Sequence, residues 1–185
     1  MATDVFITFK DSKDQAVKGE SLDDKFKGDS GWSEVLSWSC GATQSTTLAS
    51  QSTGAGGGKV ALHDFSFSKM YDVATNELLK NMFAGEHYKK ASVVMREAGG
   101  GDEPQKPYLC IAMENVFVTN YSIAGSTDRP IESWTIAYGK ISYHYAKQKD
   151  DGSKDGFTAV GWDQFINKPW TSPDKPTDVD SGGGA

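Results

Sequence analysis

The chain has 185 residues, of which 37% are hydrophobic and 24% charged, with 25 acidic against 19 basic residues and a net charge of -6. Such a length fits one domain with a full hydrophobic core, and the composition excludes a disordered chain. No dense run of Lys or Arg offers the clustered charge a phosphate backbone needs, and no apolar stretch approaches the ~20 residues of a bilayer-spanning helix, so neither nucleic acid nor membrane insertion is expected.

In chain order, the first predicted strand covers residues 4–10, where Val5, Ile7 and Phe9 alternate with Asp4, Thr8 and Lys10. Only Phe6 breaks the period of two. The start Met1-Ala2-Thr3-Asp4-Val5-Phe6 lacks the basic segment and long apolar core of a secretory signal, which predicts synthesis and folding in the cytoplasm. A polar loop, 11–31, leads to a strand over 34–40 that places Leu36, Trp38 and Cys40 on one face. Residues 41–58 read as a long Ser/Thr/Gly loop, and loops of this length inside a compact domain are usually functional. A strand follows over 59–68. The pattern then predicts a helix over 76–84, with Thr75 as N-cap and Gly85 just past its end. Its pairs Leu78/Met82 and Leu79/Phe83 form one apolar face, and so short a helix must dock on a sheet.

Three longer strands are predicted at 88–96, 108–120 and 131–146, separated by the glycine-rich turn 99–102 and by residues 125–130, with a short strand near 157–160. Strands joined in this way predict a mainly β fold, an antiparallel β-barrel or two-sheet domain with one short α-helix packed on its side. The domain is expected to span 1–170. Residues 171–185, with two prolines, three consecutive glycines and Val179 as the sole large apolar residue, read as a disordered C-terminal tail.

The two longest strands are apolar on both faces. In 108–120, Leu109, Ile111, Met113 and Phe117 oppose Tyr108, Cys110, Ala112, Val116 and Val118. In 131–146, Trp134, Ile136 and Tyr138 oppose Ile131, Ala137, Ile141, Tyr143 and Tyr145. A strand with one face in water is apolar on one side only, so both sides here need a cover. Either a second sheet and the helix supply it, or a neighbouring subunit does.

Reactive constellations are scarce. His63 and Asp64 are adjacent on a strand and so point to opposite faces, which rules them out as a base and its orienter. His87 and His144 read as surface or packing residues. Gly54-Ala55-Gly56-Gly57-Gly58-Lys59 departs from a phosphate loop in spacing, in lacking Ser or Thr after Lys59, and in leading to a strand. No Gly-x-Ser-x-Gly elbow occurs. Cys40 and Cys110 read as reduced thiols or, alternatively, a disulfide, and without a histidine cluster they make no zinc site. No catalytic, metal or cofactor site is expected.

Several segments in order resemble the Hcp (haemolysin-coregulated protein) family of type VI secretion. They are Gly19-Glu20-Ser21 with Asp23-Asp24-Lys25, Leu36-Ser37-Trp38-Ser39 with Gly41, and Gly58-Lys59-Val60 with Asp64-Phe65-Ser66-Phe67-Ser68-Lys69. Gly85-Glu86-His87, Arg96-Glu97-Ala98-Gly99-Gly100, Tyr108-Leu109, Val118-Thr119-Asn120-Tyr121-Ser122, Glu132-Ser133, Gly161-Trp162-Asp163 and Asn167-Lys168 continue the register. The match departs at Phe26, where the family often has histidine, at Cys40, where an aromatic is frequent, and in the longer segment 11–18. The resemblance implies a hexameric ring that stacks into the inner tube of a contractile apparatus, without enzymatic activity. As partners it implies copies of the same chain, a VgrG-type spike, the contractile sheath and effector cargo carried or chaperoned inside the ring. It also implies export through that apparatus without a signal peptide. The loop 41–58 then becomes a contact between rings or subunits, with Thr46, Thr47, Leu48 and Gln51 as candidates. The rival readings are a phage-tail-tube-like protein, a monomeric ligand-binding β-barrel and a hydrolase.

Overall fold

The computed structural model describes residues 3–27, 31–47, 56–97, 105–125, 128–147 and 156–173. They form β1 (Thr3–Lys10), β2 (Trp32–Glu34), β3 (Ser37–Ser39), β4 (Ala42–Thr47), β5 (Gly56–Leu62), β6 (Phe65–Met70), α1 (Val73–Ala84), β7 (Tyr88–Glu97), β8 (Pro107–Ala124), β9 (Ile131–Tyr145), β10 (Thr158–Asp163) and β11 (Lys168–Pro169). The main sheet runs β11-β10-β9-β8-β7-β1-β2, antiparallel throughout. β9 pairs with β8 along one side. On its other side it pairs with β6 over its first half and β10 over its second. The fold is therefore mainly β and antiparallel with one short helix, as the sequence predicts.

The flanks of this sheet meet on one kinked segment. The Val35 N–H donates to the Val5 carbonyl at 2.9 Å, and the Leu36 N–H donates to the Ser68 carbonyl on β6 at 2.8 Å. The sheet thus curls around a core without a continuous closing ladder, since β2 bonds β1 while β3 bonds β6.

Several boundaries differ from expectation. The predicted strand 34–40 is two pieces because one backbone cannot serve both flanks without turning at Val35 and Leu36. The predicted strand 59–68 breaks at His63 and Asp64, where β5 leaves for a separate hairpin with β4. The helix begins at Val73, and its N-cap is Asp72, not Thr75. The Asp72 carboxylate accepts from the Ala74 N–H at 3.0 Å, and Thr75 Oγ1 accepts from the Asp72 N–H at 3.3 Å. This reciprocal box satisfies donors that a cap at Thr75 would leave open. Ala74 and Leu78 enter the core, but Phe83 is 80% exposed and does not belong to the buried face.

The main core gathers Ile7, Phe9, Phe65, Phe67, Val93, Ile111, Met113, Trp134, Ile136 and Ile141. Phe6 points the other way into a second cluster with Phe26, Trp32, Val94 and Cys110, which explains its break in the alternation. Of the apolar residues on both faces of β8 and β9, this second cluster covers Cys110. The assigned faces also need correction. Val116 lies in the core with Met113, and Ile141 lies there with Tyr138. Asn115, at φ 54°, sits between the pairs Glu114↔Lys140 and Val116↔Tyr138, and Gly139 sits opposite in the same gap. The left-handed residue reverses which parity points inward on both strands.

Candidate functional site

β4 and β5 pair with each other and with no other strand among the described residues, so they leave the barrel as a hairpin arm. The described residues of the segment 41–58 are thus largely strand, where a structureless loop was expected. A two-stranded ribbon is marginal alone in water, and its two outer edges present unpaired backbone groups to any incoming strand. Thr46 and Thr47 close β4 opposite Gly57 and Gly56. Leu48 and Gln51, the other candidate contacts, lie outside the described residues.

Between this arm and β9–β10 runs a groove of about 410 Å³. Its walls include Val60 and Leu62 from the arm, Ile141 and Tyr143 from β9, and Val160 and Trp162 from β10. Lys59 is the charged residue of its lining. Val160 is 68% exposed even though it faces this apolar space. Cys40 Sγ lies 3.0 Å from the Tyr143 hydroxyl, and both cysteines are free thiols, so the disulfide alternative is not realised. Burial foremost, then the contact with Cys40, pushes the Tyr143 phenol well above its ordinary range.

Exposed apolar side chains collect at the two ends of β9. Ile131, its first residue, is exposed beside its partner Met70, and Ile123 and Val73 are exposed nearby on β8 and α1. Tyr145, its last residue, is exposed beside β10, where Val160 is open to solvent opposite Tyr143, while the exposed Phe165 and Ile166 lie farther along, beside Gly139 in the middle of β9. At about 3.3 Å per residue the contour between these ends is roughly 46 Å. The two exposed groups are therefore separate along the strand. The sequence reading missed the groove because its β10 wall lies in a stretch read only as a short strand near 157–160. Trp162 was legible only through the Gly161-Trp162-Asp163 resemblance.

A buried polar network fixes the Ile131 end. Lys69 Nζ donates to Asp72 Oδ1 at 2.7 Å and lies 2.9 Å from Glu132 Oε2, with Lys69 1% and Glu132 0% exposed. Thr75 Oγ1 and Trp134 Nε1 donate to Glu132 Oε2, and the Tyr121 hydroxyl donates to Glu132 Oε1. Ser33 Oγ donates to Asp72 Oδ2 at 2.6 Å. Burial and the neighbouring Glu132 push the Tyr121 phenol up to about 12. Each of these groups is held by another, so the arrangement ties α1, β6 and β9 together.

The histidines are dispersed. His63 Nε2 lies 3.3 Å from Thr43 Oγ1, His87 stacks on Phe117, and His144 is buried with Nε2 2.9 Å from Ser142 Oγ. Among the described residues no three His, Cys, Asp or Glu side chains are grouped to hold a metal ion. No helix of the described residues is long and apolar enough to cross a membrane.

Comparison with known proteins gives a consistent answer. The family described as "Type VI secretion system effector, Hcp" matches residues 6–145. The chain is similar to Protein hcp1 of Pseudomonas aeruginosa, with 39% identity over 165 residues that cover 88% of this chain and 95% of that one. Among solved structures it resembles a type six secretion system protein, with a TM-score of 0.78 and 28% identity over 91% of this chain and all of that one. It also resembles Hcp1 from Salmonella typhimurium, with a TM-score of 0.71 and 28% identity over 92% of this chain and all of that one.

Proposed function

Because the chain belongs to the Hcp family of type VI secretion system proteins, we propose that it works by self-assembly, as a hexameric ring that stacks into the inner tube of the secretion apparatus. The observation that carries this reading is the pair of apolar patches at opposite ends of β9. Two different patches on one chain are served by a head-to-tail contact, which closes into a ring when the rotation per subunit divides a full turn. Burying Val160 and Tyr145 against Met70 and Ile131 of the next copy removes apolar area at about 25 cal/mol per Å².

The arm extends the same logic between rings. Its Ser, Thr and Gly residues bring backbone donors and acceptors close without bulk, which suits Thr46, Thr47, Leu48 and Gln51 to contacts between subunits or rings. Membership of the family supports extending the proposal to export through the apparatus, with a VgrG-type spike at the tip, a surrounding sheath and effector cargo in the lumen. The role is structural and cargo-carrying, not enzymatic.

Solution mass combined with negative-stain imaging tests the assembly. A six-membered annulus is expected, and single subunits persisting at high concentration would overturn it. Deleting residues 46–51 is expected to leave the ring and barrel intact while impairing stacking and secretion. Unchanged secretion by that variant removes the arm from the mechanism without touching the ring.

A further inference from the structure

Residues 19–27 belong to no strand or helix, yet the segment is anchored at two points to elements that are not neighbours in the sheet. We infer that this segment is a strut coupling the N-terminus of α1 to the end of β7, so that loosening either anchor loosens the other.

The first anchor is Glu20. Its Oε1 accepts from the Val73 N–H, the first of the helix, at 3.1 Å, and its Oε2 accepts from Arg129 Nη2 at 2.9 Å. The carboxylate thus satisfies an otherwise open helix donor and complements the positive end of the dipole. The second anchor is Asp23 with Phe26. Asp23 Oδ2 accepts from Arg96 Nη2, and the Phe26 ring lies 4.6 Å from Phe6 and 4.8 Å from Trp32. The Arg96 guanidinium lies against this stacked pair, 4.8 Å from the Phe6 centroid and 4.7 Å from that of Phe26.

Only Ser21 and Leu22 separate the anchors, and the span has little slack. The Ser21 N–H donates to the Trp32 carbonyl at 3.1 Å, and Ser21 Oγ accepts from the Asp23 N–H at 3.3 Å. Asp23 then braces the next turn, its Oδ1 accepting from the Lys25 N–H and its carbonyl from the Phe26 N–H, both at 3.0 Å. A short, self-braced link transmits displacement where a flexible one would absorb it. The second anchor is also poised. Arg96 is 2% exposed and its Nε is buried without a hydrogen-bond partner among the described residues, a cost that loosening this anchor would relieve. Asp4, 3.9 Å from Arg96 Nη2, stands ready as its alternative partner.

Coupling of this kind is reciprocal, so each anchor must report on the other. Hydrogen exchange on the full chain reads Val73 at one end and Phe26 at the other, with Val93 on β7 and Ile111 on β8 as controls. Asp23→Asn is expected to speed exchange at Val73, and Arg129→Lys at Phe26, each by about fivefold or more, the lower end of typical coupling. The controls stay unchanged. If each substitution affects only its own end, the strut is overturned. Should Asp23→Asn also loosen the controls, Arg96→Lys, which keeps the charge and alters the fork geometry, replaces it under the same criterion.

Discussion

Replacing Lys69 by Met removes the cation that, among the described residues, pairs with two carboxylates held out of water. In the native fold Lys69 Nζ reaches Asp72 Oδ1 at 2.7 Å, Glu132 Oε2 at 2.9 Å and Thr75 Oγ1 at 2.9 Å. Glu132 keeps its bonds from Thr75, Trp134 and Tyr121, and Asp72 keeps those from Ser33 and the Ala74 N–H. Neither keeps a compensating charge. Removing one partner of a buried pair costs about 3–5 kcal/mol. At ~2–4 °C per kcal/mol for a chain of this size, Tm falls by roughly 6–20 °C. Urea unfolding followed by circular dichroism gives the free energy, and calorimetry gives Tm. The double variant Lys69→Met/Glu132→Gln is expected to recover part of the loss, because it removes one of the stranded charges. A loss under ~1 kcal/mol for Lys69→Met, the range of an exposed pair, would refute the view that these charges are dry and interdependent.

The Asp23 carboxyl responds to pH in a definite direction. Burial pushes it up, but the hydrogen bond and charge of Arg96, with the Lys25 N–H, outweigh burial and hold it below its ordinary 3.8. A depressed carboxyl stabilises the fold above its ordinary value and loses that contribution as pH falls through the depressed one. Asp23→Asn should therefore cost about 1.5 kcal/mol near neutrality, the low end for a charged hydrogen bond, and the difference from wild type should vanish on acidification below 3.8. A pH series of urea titrations checks both the size and the window. Two glycines on facing strands should respond unequally to Ala. A Cβ at Gly161 would lie 2.2 Å from the Trp170 carbonyl oxygen and 2.3 Å from that of Ile141, so backbone must move. At Gly139 the obstacle is the ring of Phe165, which is exposed and free to turn away. Thermal melts should show Gly161→Ala costing ~1–3 kcal/mol and Gly139→Ala under ~1 kcal/mol.

The strands legible in the sequence are those whose burial has a period of two. β1, β7 and β9 were placed within a residue or two at each end because Val5, Ile7 and Phe9, or Trp134, Ile136 and Tyr138, repeat on one face. β8 continues past its predicted end at residue 120 to Ala124, where exposure on both faces leaves no pattern to read. The arm was read as a loop for a related reason. Thr46, Thr47, Gly56 and Gly57 are held by pairing with each other, and pairing between small polar residues leaves no hydropathic trace. The parity reversal at Asn115 and Gly139 was hidden because the positive φ of Asn115 is not announced by composition. Phe6 was visible as an anomaly but not interpretable, since its partners Phe26 and Trp32 sit in a stretch read as polar loop or just beyond it. The helix cap was displaced because both Asp72 and Thr75 are good caps, and the reciprocal box here carries Thr at its third helical position in place of the usual Glu or Gln. For the assembly surface, the surplus of apolar side chains was legible, but its place was not. Much of that surplus packs into the chain's own main core once the inward parity changes, and the remainder stays exposed along β9 and β10.

That placement makes the mode of association testable independently of the ring's size. Ile131 and Val160 belong to different patches at opposite ends of β9, so a head-to-tail contact uses one from each copy. An isologous contact would instead meet like with like. Ile131→Asp damages one end and leaves the other intact, and Val160→Asp does the converse. Both sites are solvent-facing in the single chain, so a charge there costs the monomer little, typically within ~0.5 kcal/mol. In an assembled contact the same charge is buried without a partner, at several kcal/mol. Each variant alone should remain monomeric. Mixed in equal amounts, they share a single undamaged contact, the Val160 end of one with the Ile131 end of the other. Their mixture should therefore stop at a heterodimer by native mass spectrometry. Restored rings, or no association at all, would show that these two ends do not meet.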